Sequence, residues 1–254
     1  MSSHCLVRIS SAERLPGSVS SSDFRVSFQN VAELARVTSI VVKQVTVPNV
    51  EYNIPVPIVA KFGIGNTSET ASIPIPAGQY TMAQLLAVIA AYPINGYYIT
   101  GVQDPATLIV SFQLGGGGYS LGLVSFQDGN TAAPYFGITA TTPRNEGYTA
   151  CQGLPNLSGP RNFYIASNVL GEGNNLLSPT FPRVGVFACI PLFVPFPGIE
   201  HYVCQHETLD RIDYPSQGQG KSLQTIDIRL YDANARIVDL KGLDWSFVIK
   251  VYHN

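Results

Sequence analysis

Trp245-Ser-Phe-Val-Ile-Lys-Val251 puts Trp245, Phe247, Ile249 and Val251 on one side of an extended chain and Ser246 and Lys250 on the other. That two-residue period is the mark of a strand with one face against a core, and it places the only tryptophan inside rather than in a ligand platform. Working back from it, Ile226, Ile228 and Leu230 alternate with Asp227 and Arg229, while Leu108, Val110, Phe112 and Leu114 alternate with Ser111 and Gln113. Phe24, Val26 and Phe28 alternate with Arg25 and Ser27. Less regular apolar runs over Val37–Val47, Phe163–Val169, Val184–Phe193 and Tyr202–Cys204 read as strands covered on both faces.

One segment has a helical period. Met82, Leu85, Leu86 and Ile89 fall on one face of Tyr80–Tyr92, and Thr81 with Gln84 three residues on makes a capping box. Pro93 and Gly96 end it, and a one-turn element is expected at Thr131–Phe136. Elsewhere Gly and Pro punctuate short strands, the pattern of an all-β fold. The expectation is a single jelly roll, an eight-stranded antiparallel β-sandwich with long loops and one short helix in a connection. Residues 1–22, rich in serine, read as an extended amino-terminal arm; 23–254 read as one jelly-roll domain with room for a loop insertion at about 62–150.

Composition narrows the function. Only 13% of the 254 residues are charged, about half the usual share, and the formal net charge is −2. A chain without clustered Lys and Arg has no counterion-release drive toward nucleic acid, so no specific nucleic-acid role is expected. So little charge protects a monomer's surface poorly, which favours a protein that buries its flanks against other chains. The amino terminus has no basic and apolar leader pattern, and no apolar run is long enough for a membrane span. Four scattered cysteines give no disulfide framework and read as reduced thiols.

Catalytic patterns are weak. Gly115–Gly118 is followed by Tyr119-Ser-Leu rather than the Lys-Ser/Thr of a phosphate loop. His201, Cys204 and His206 are the one soft-ligand cluster, but on an extended segment only Cys204 and His206 share a face, short of the four ligands of structural zinc. Asp210 and Asp213 read as solvating a strand end. No catalytic residue, metal or cofactor is assigned, and the chain is not expected to be an enzyme.

Several stretches together resemble one family. Arg14-Leu-Pro-Gly17 leads into Asp23-Phe-Arg-Val-Ser-Phe28 and a long strand ending in Pro48-Asn-Val-Glu-Tyr-Asn-Ile54. Pro76-Ala-Gly-Gln-Tyr-Thr-Met-Ala-Gln-Leu-Leu86, Tyr135-Phe-Gly-Ile138 and Leu157-Ser-Gly-Pro-Arg-Asn-Phe-Tyr-Ile-Ala-Ser167 follow. Ile190-Pro-Leu-Phe-Val-Pro-Phe196, Thr225–Asp232, Asp239-Leu240 and Trp245–Val251 complete the order. Jointly they are similar to the penton proteins, single-jelly-roll minor capsid proteins of virophages, polinton-like viruses and related large DNA viruses. The resemblance implies a structural minor capsid protein of an icosahedral double-stranded DNA virus, five copies closing each vertex. It implies contact with a double-jelly-roll major capsid protein and with internal minor capsid proteins, assembly in the host cytoplasm and residence in the virion. The family has no catalytic residues to carry over. Arg8 and Arg14 are expected on an arm that orders on assembly, and the flanks of such a subunit are expected to be nearly bare of charge. The alternative is a carbohydrate-binding jelly roll, a lectin-like attachment protein with an exposed aromatic platform.

Overall fold

The computed structural model describes residues 3–28, 31–64, 70–94, 96–116, 124–127, 129–141, 149–171, 185–204, 211–214 and 221–253. The chain divides into two compact units, one made of Met1–Glu51 with Pro160–Asn254 and the other of Tyr52–Gly159. In chain order, the first unit opens with β1 (Ser3–Ser10), β2 (Asp23–Ser27) and β3 (Val37–Asn49). The second contains β4 (Ile58–Ile64), β5 (Thr70–Ile75), α1 (Met82–Ala91), β6 (Tyr97–Gln103), β7 (Val110–Gly116), β8 (Val124–Phe126), α2 (Ala133–Phe136) and β9 (Thr149–Ala150). The first unit resumes with β10 (Asn162–Ala166), β11 (Val186–Pro191), β12 (Gly198–Val203), β13 (Arg211–Asp213), β14 (Thr225–Tyr231) and β15 (Ser246–His253).

The first unit is a jelly roll. One sheet runs β1-β15-β3-β12 and the other β11-β10-β14-β2, all antiparallel. β12 pairs with Gln44–Asn49 of β3 and β13 with Ser39–Val41, so the two fill one strand position in two pieces. Eight positions result, four per sheet. Only β10 and β11 are consecutive neighbours within a sheet; the other connections cross between sheets, as a two-layer Greek-key path requires.

The alternation read from the sequence is what closes this sandwich. Phe24, Val26, Phe163, Ile165, Ile226, Ile228 and Leu230 from one sheet share a core with Ile9, Val45, Val47, Phe247, Ile249 and Val251 from the other. Each such side chain contributes about 1.5–3 kcal/mol by leaving water. Trp245 is buried just ahead of β15, stacked on Phe247 at 5.4 Å and edge-on to Phe24 at 6.0 Å. Its indole N–H donates to the Ser21 carbonyl at 2.7 Å, so burial leaves no polar atom stranded.

Residues 1–22 differ from the expected arm. Ser3–Ser10 pairs with β15 through all eight residues, Ser3 opposite His253 and Ser10 opposite Ser246. Cys5 and Val7 pack against the core and Ile9 is fully buried in it, a period of two that the flanking serines obscure. The inserted segment also begins earlier and ends later than the 62–150 expected, at Tyr52 and Gly159, and has a core of its own rather than being a loop of one domain.

That second unit is built from two three-stranded sheets, β5-β4-β8 and β6-β7-β9. Phe112 lies at its centre, with ring centroids 4.9 Å from Phe62, 5.3 Å from Phe136 and 6.1 Å from Phe126. α1 begins as its sequence dictates: the Thr81 hydroxyl accepts the Gln84 N–H and the Gln84 side chain accepts the Thr81 N–H. The helix lies close on β6 because residue 101 is glycine; a β-carbon there would collide with Leu86 and Phe112.

Candidate assembly surfaces

The residues singled out from the sequence go to separate places. Arg8 sits in β1 opposite Val248, exposed, with a guanidinium nitrogen 3.9 Å from Glu13. Arg14 donates to the Ser11 carbonyl at 2.7 Å and to Asp244 at 2.9 Å, pinning the chain after β1 to the turn before β15. Both belong to ordered structure, because β15 supplies an edge that the Cys5/Val7/Ile9 face fits. Cys204 is buried and its backbone N–H donates to the Lys43 carbonyl, while His201 faces outward with Nδ1 3.2 Å from the Thr46 hydroxyl. His206 and Asp210 lie outside the described residues; Asp213 is ion-paired with Arg211 at 2.7 Å. Among the described residues, these side chains do not converge on a site.

The most exposed apolar side chains that follow one another along the chain begin where β11 ends. The strand read through Phe193 stops at Pro191, and the connection to β12 is held by a buried carboxylate: Glu200 accepts the N–H groups of Phe193 and Val194 at 2.7 and 3.0 Å. Asn49 donates to the Val194 carbonyl at 2.7 Å, and Gly198 lets Val194 and the Pro195 carbonyl approach, since a β-carbon there would collide with both. The result is a fixed loop with Phe193 turned out, 80% exposed. Alternate residues continue the outward row: Pro195, Pro197, Ile199 at 54%, His201 and Val203 at 58%. β12 is therefore an edge strand with an apolar outer face, not the two-side-covered strand expected. The one carboxylate within Phe193–Val203 points inward.

The second unit has a groove of about 260 Å³ lined by Met82, Gln103, Leu108, Leu154, Pro155 and Leu157. Leu108 was expected in phase with Val110, Phe112 and Leu114. It instead has φ of 60°, the left-handed region that disfavours a branched side chain, and is 52% exposed. The turn that holds it is over-determined: Asp104 accepts the N–H groups of Ala106 and Thr107 at 2.8 and 2.7 Å, and Gln103 donates to the Leu108 carbonyl at 3.0 Å. Those backbone donors keep the Asp104 carboxyl below its ordinary range. Leu154, on the same groove, is 64% exposed. A leucine that is both strained and exposed gains the fold little apolar burial in return for its backbone conformation.

Charged side chains also stand on the strands of the jelly roll. Arg25, Asp227 and Arg229 lie on β2 and β14, and Arg8 and Lys250 on β1 and β15. One titratable group stands out: Glu51, just past β3, is buried with Oε2 lacking a hydrogen-bond partner. Desolvation first, then the Asp232 carboxylate, push it up to about 7, against weaker opposing pulls from Arg236 and Lys241.

The strand order and the position of the insertion between β3 and β10 can be set against solved structures. The mavirus penton protein has this fold. The similarity covers 99% of this chain and 100% of that one, with a TM-score of 0.56 and 8% sequence identity. No family model matches the sequence, and no curated protein matches it either. At 8% identity the mavirus penton protein shares the backbone path and not the side chains. Phe193 and Leu108 therefore stand on this chain's own geometry. Their sequence signals were faint: prolines at 191, 195 and 197 around Phe193, and Asp104-Pro-Ala-Thr, a turn pattern, before Leu108.

Proposed function

We propose that the protein is a structural subunit of an icosahedral double-stranded DNA virus capsid, five copies of which close a vertex. The observation that carries this reading is the jelly-roll strand order, β1-β15-β3-β12 facing β11-β10-β14-β2, in a chain whose backbone path parallels the mavirus penton protein over 99% of its length. The exposed row from Phe193 to Val203 supports it, as does the groove beside Leu108, because a ring subunit needs two different adhesive surfaces. In this reading the subunit works by shape and burial with no catalytic step, and resides in the virion after assembly in the host cytoplasm. Its partners are its own copies, a surrounding double-jelly-roll major capsid protein and internal minor capsid proteins. Imaging of assembled particles tests it: density for the chain at fivefold positions is expected, and its presence only at other positions overturns the reading. Native mass spectrometry of the purified chain gives a second check, with a five-copy species expected.

A second reading, saccharide attachment, is favoured by Tyr98. Its exposed ring lies over Gly115, where a β-carbon would approach within 2.7 Å of it, and Thr100 and Gln113 flank it on the same face. A glycan array distinguishes the two: binding lost in Tyr98→Ala supports attachment, and no binding above background removes it.

A further inference from the structure

We propose that Phe193 of one copy seats in the Leu108–Leu154 groove of a second copy, and that this knob-and-groove contact runs head to tail around the ring. The inference rests on the vertex reading and names the contact that the reading leaves open.

Four observations converge on it. First, the groove's 260 Å³ is below the roughly 300–1,000 Å³ of pockets that take drug-sized ligands, and suits one large side chain. Second, Phe193 is the most exposed aromatic side chain among the described residues, and its loop is fixed beforehand by Glu200 and Asn49, so little ordering cost attends its docking. Third, little charge stands at either surface. The groove lining has no charged residue, the exposed carboxylate of nearby Asp104 has one oxygen taken up by two N–H groups of its own turn, and Glu200 is buried beneath the loop. Fourth, knob and groove are different parts of the chain. A groove-to-groove or row-to-row contact would be isologous and stop at a dimer, whereas a contact between unlike surfaces propagates and can close on five copies. Aromatic anchors in desolvated pockets are also where binding energy concentrates. The strain at Leu108 then has a use, since it holds one wall of the groove open toward a partner.

The test uses the full chain in three variants, Phe193→Ala, Leu154→Asp and Leu108→Gly, with self-association followed by sedimentation and native mass spectrometry. Phe193→Ala and Leu154→Asp are each expected to weaken association by about thirtyfold or more and to leave the melting temperature unchanged. Leu108→Gly is expected to raise the melting temperature while weakening association, which a purely structural leucine does not do. Mixed one to one, Phe193→Ala and Leu154→Asp retain one intact knob and one intact groove between them, so a heterodimer is expected and a ring is not. If single variants still form wild-type rings, the knob-and-groove contact is wrong and the vertex reading stands. If the wild-type chain forms no oligomer at any concentration and occupies no fivefold position in particles, the vertex reading itself falls.

Discussion

The two units solve the same problem with different materials. Tyr52–Gly159 has six charged residues in 108, namely Lys61, Glu69, Asp104, Asp128, Arg144 and Glu146; the jelly roll has the other 26 in 146. In the jelly roll, ion pairs fasten turns and one strand pair: Arg236 on buried Asp232 after β14, Lys241 on Asp239 and Arg14 on Asp244 at turns, and Arg229 between Asp23 and Asp227 across β14 and β2. Among the described residues of the second unit, the carboxylate of Asp104 holds one turn and amides and hydroxyls hold others. Asn53 bridges the Tyr80 and Leu157 carbonyls and accepts the Tyr80 N–H, while Thr131 accepts the Val59 N–H. The low overall charge is thus most pronounced in one unit. Neutral fastening leaves that unit's outer surface cheap to desolvate, and charged fastening makes the jelly roll sensitive to pH and salt.

The largest expected effect separates the units. Phe112→Ala removes the ring at the centre of the second core and should cost about 3–5 kcal/mol, as should Phe247→Ala in the jelly roll. In calorimetry each variant is expected to lower one of two transitions; a single transition moved equally by both would break the distinction. Next is Glu51→Gln. Its folded value near 7 stands above the ordinary 4.5, so the folded protein resists ionising it: the penalty is absent below pH 4.5, grows toward 7 and is complete above. The variant should gain about 3 kcal/mol at pH 8 and nothing at pH 4, measured by urea denaturation; a pH-independent gain would show that the carboxyl is not the cause. Thr81→Ala breaks the neutral capping box and should cost about 1 kcal/mol at any ionic strength, read in melts with and without added salt. Smallest is Arg8→Ala, whose long and exposed ion pair should be worth under about 0.5 kcal/mol and vanish with salt.

What the sequence revealed follows the same division. Strands with a clean period of two and a charged outer face, β2 and β14, were legible end to end, as was α1 from its cap. β1 hid behind serines, although Cys5, Val7 and Ile9 keep the period. β5 hid behind Pro74 and Pro76: Ala71, Ile73 and Ile75 are buried in strict alternation, and Pro74 is tolerated because β5 is the outer strand of its sheet, where a missing N–H costs no ladder bond. The two exposed residues of the proposed contact were illegible for a deeper reason. Phe193 and Leu108 look like core in any hydrophobic pattern, and only the loop hydrogen bonds and the φ of Leu108, which are tertiary facts, turn them outward.

β15 lies between β1 and β3, with Ser3 of β1 opposite His253 of β15. The central strand of that sheet is therefore the last of its strands to leave the ribosome. Until it arrives, β1 and β3 each have an open edge and no shared neighbour, and closing the sheet must bring together segments more than two hundred residues apart. The loop after β11, proposed above as the contact knob, is thus made before the sheet that carries it is complete, and on that proposal a chain cut short before β15 would present the knob without a finished body.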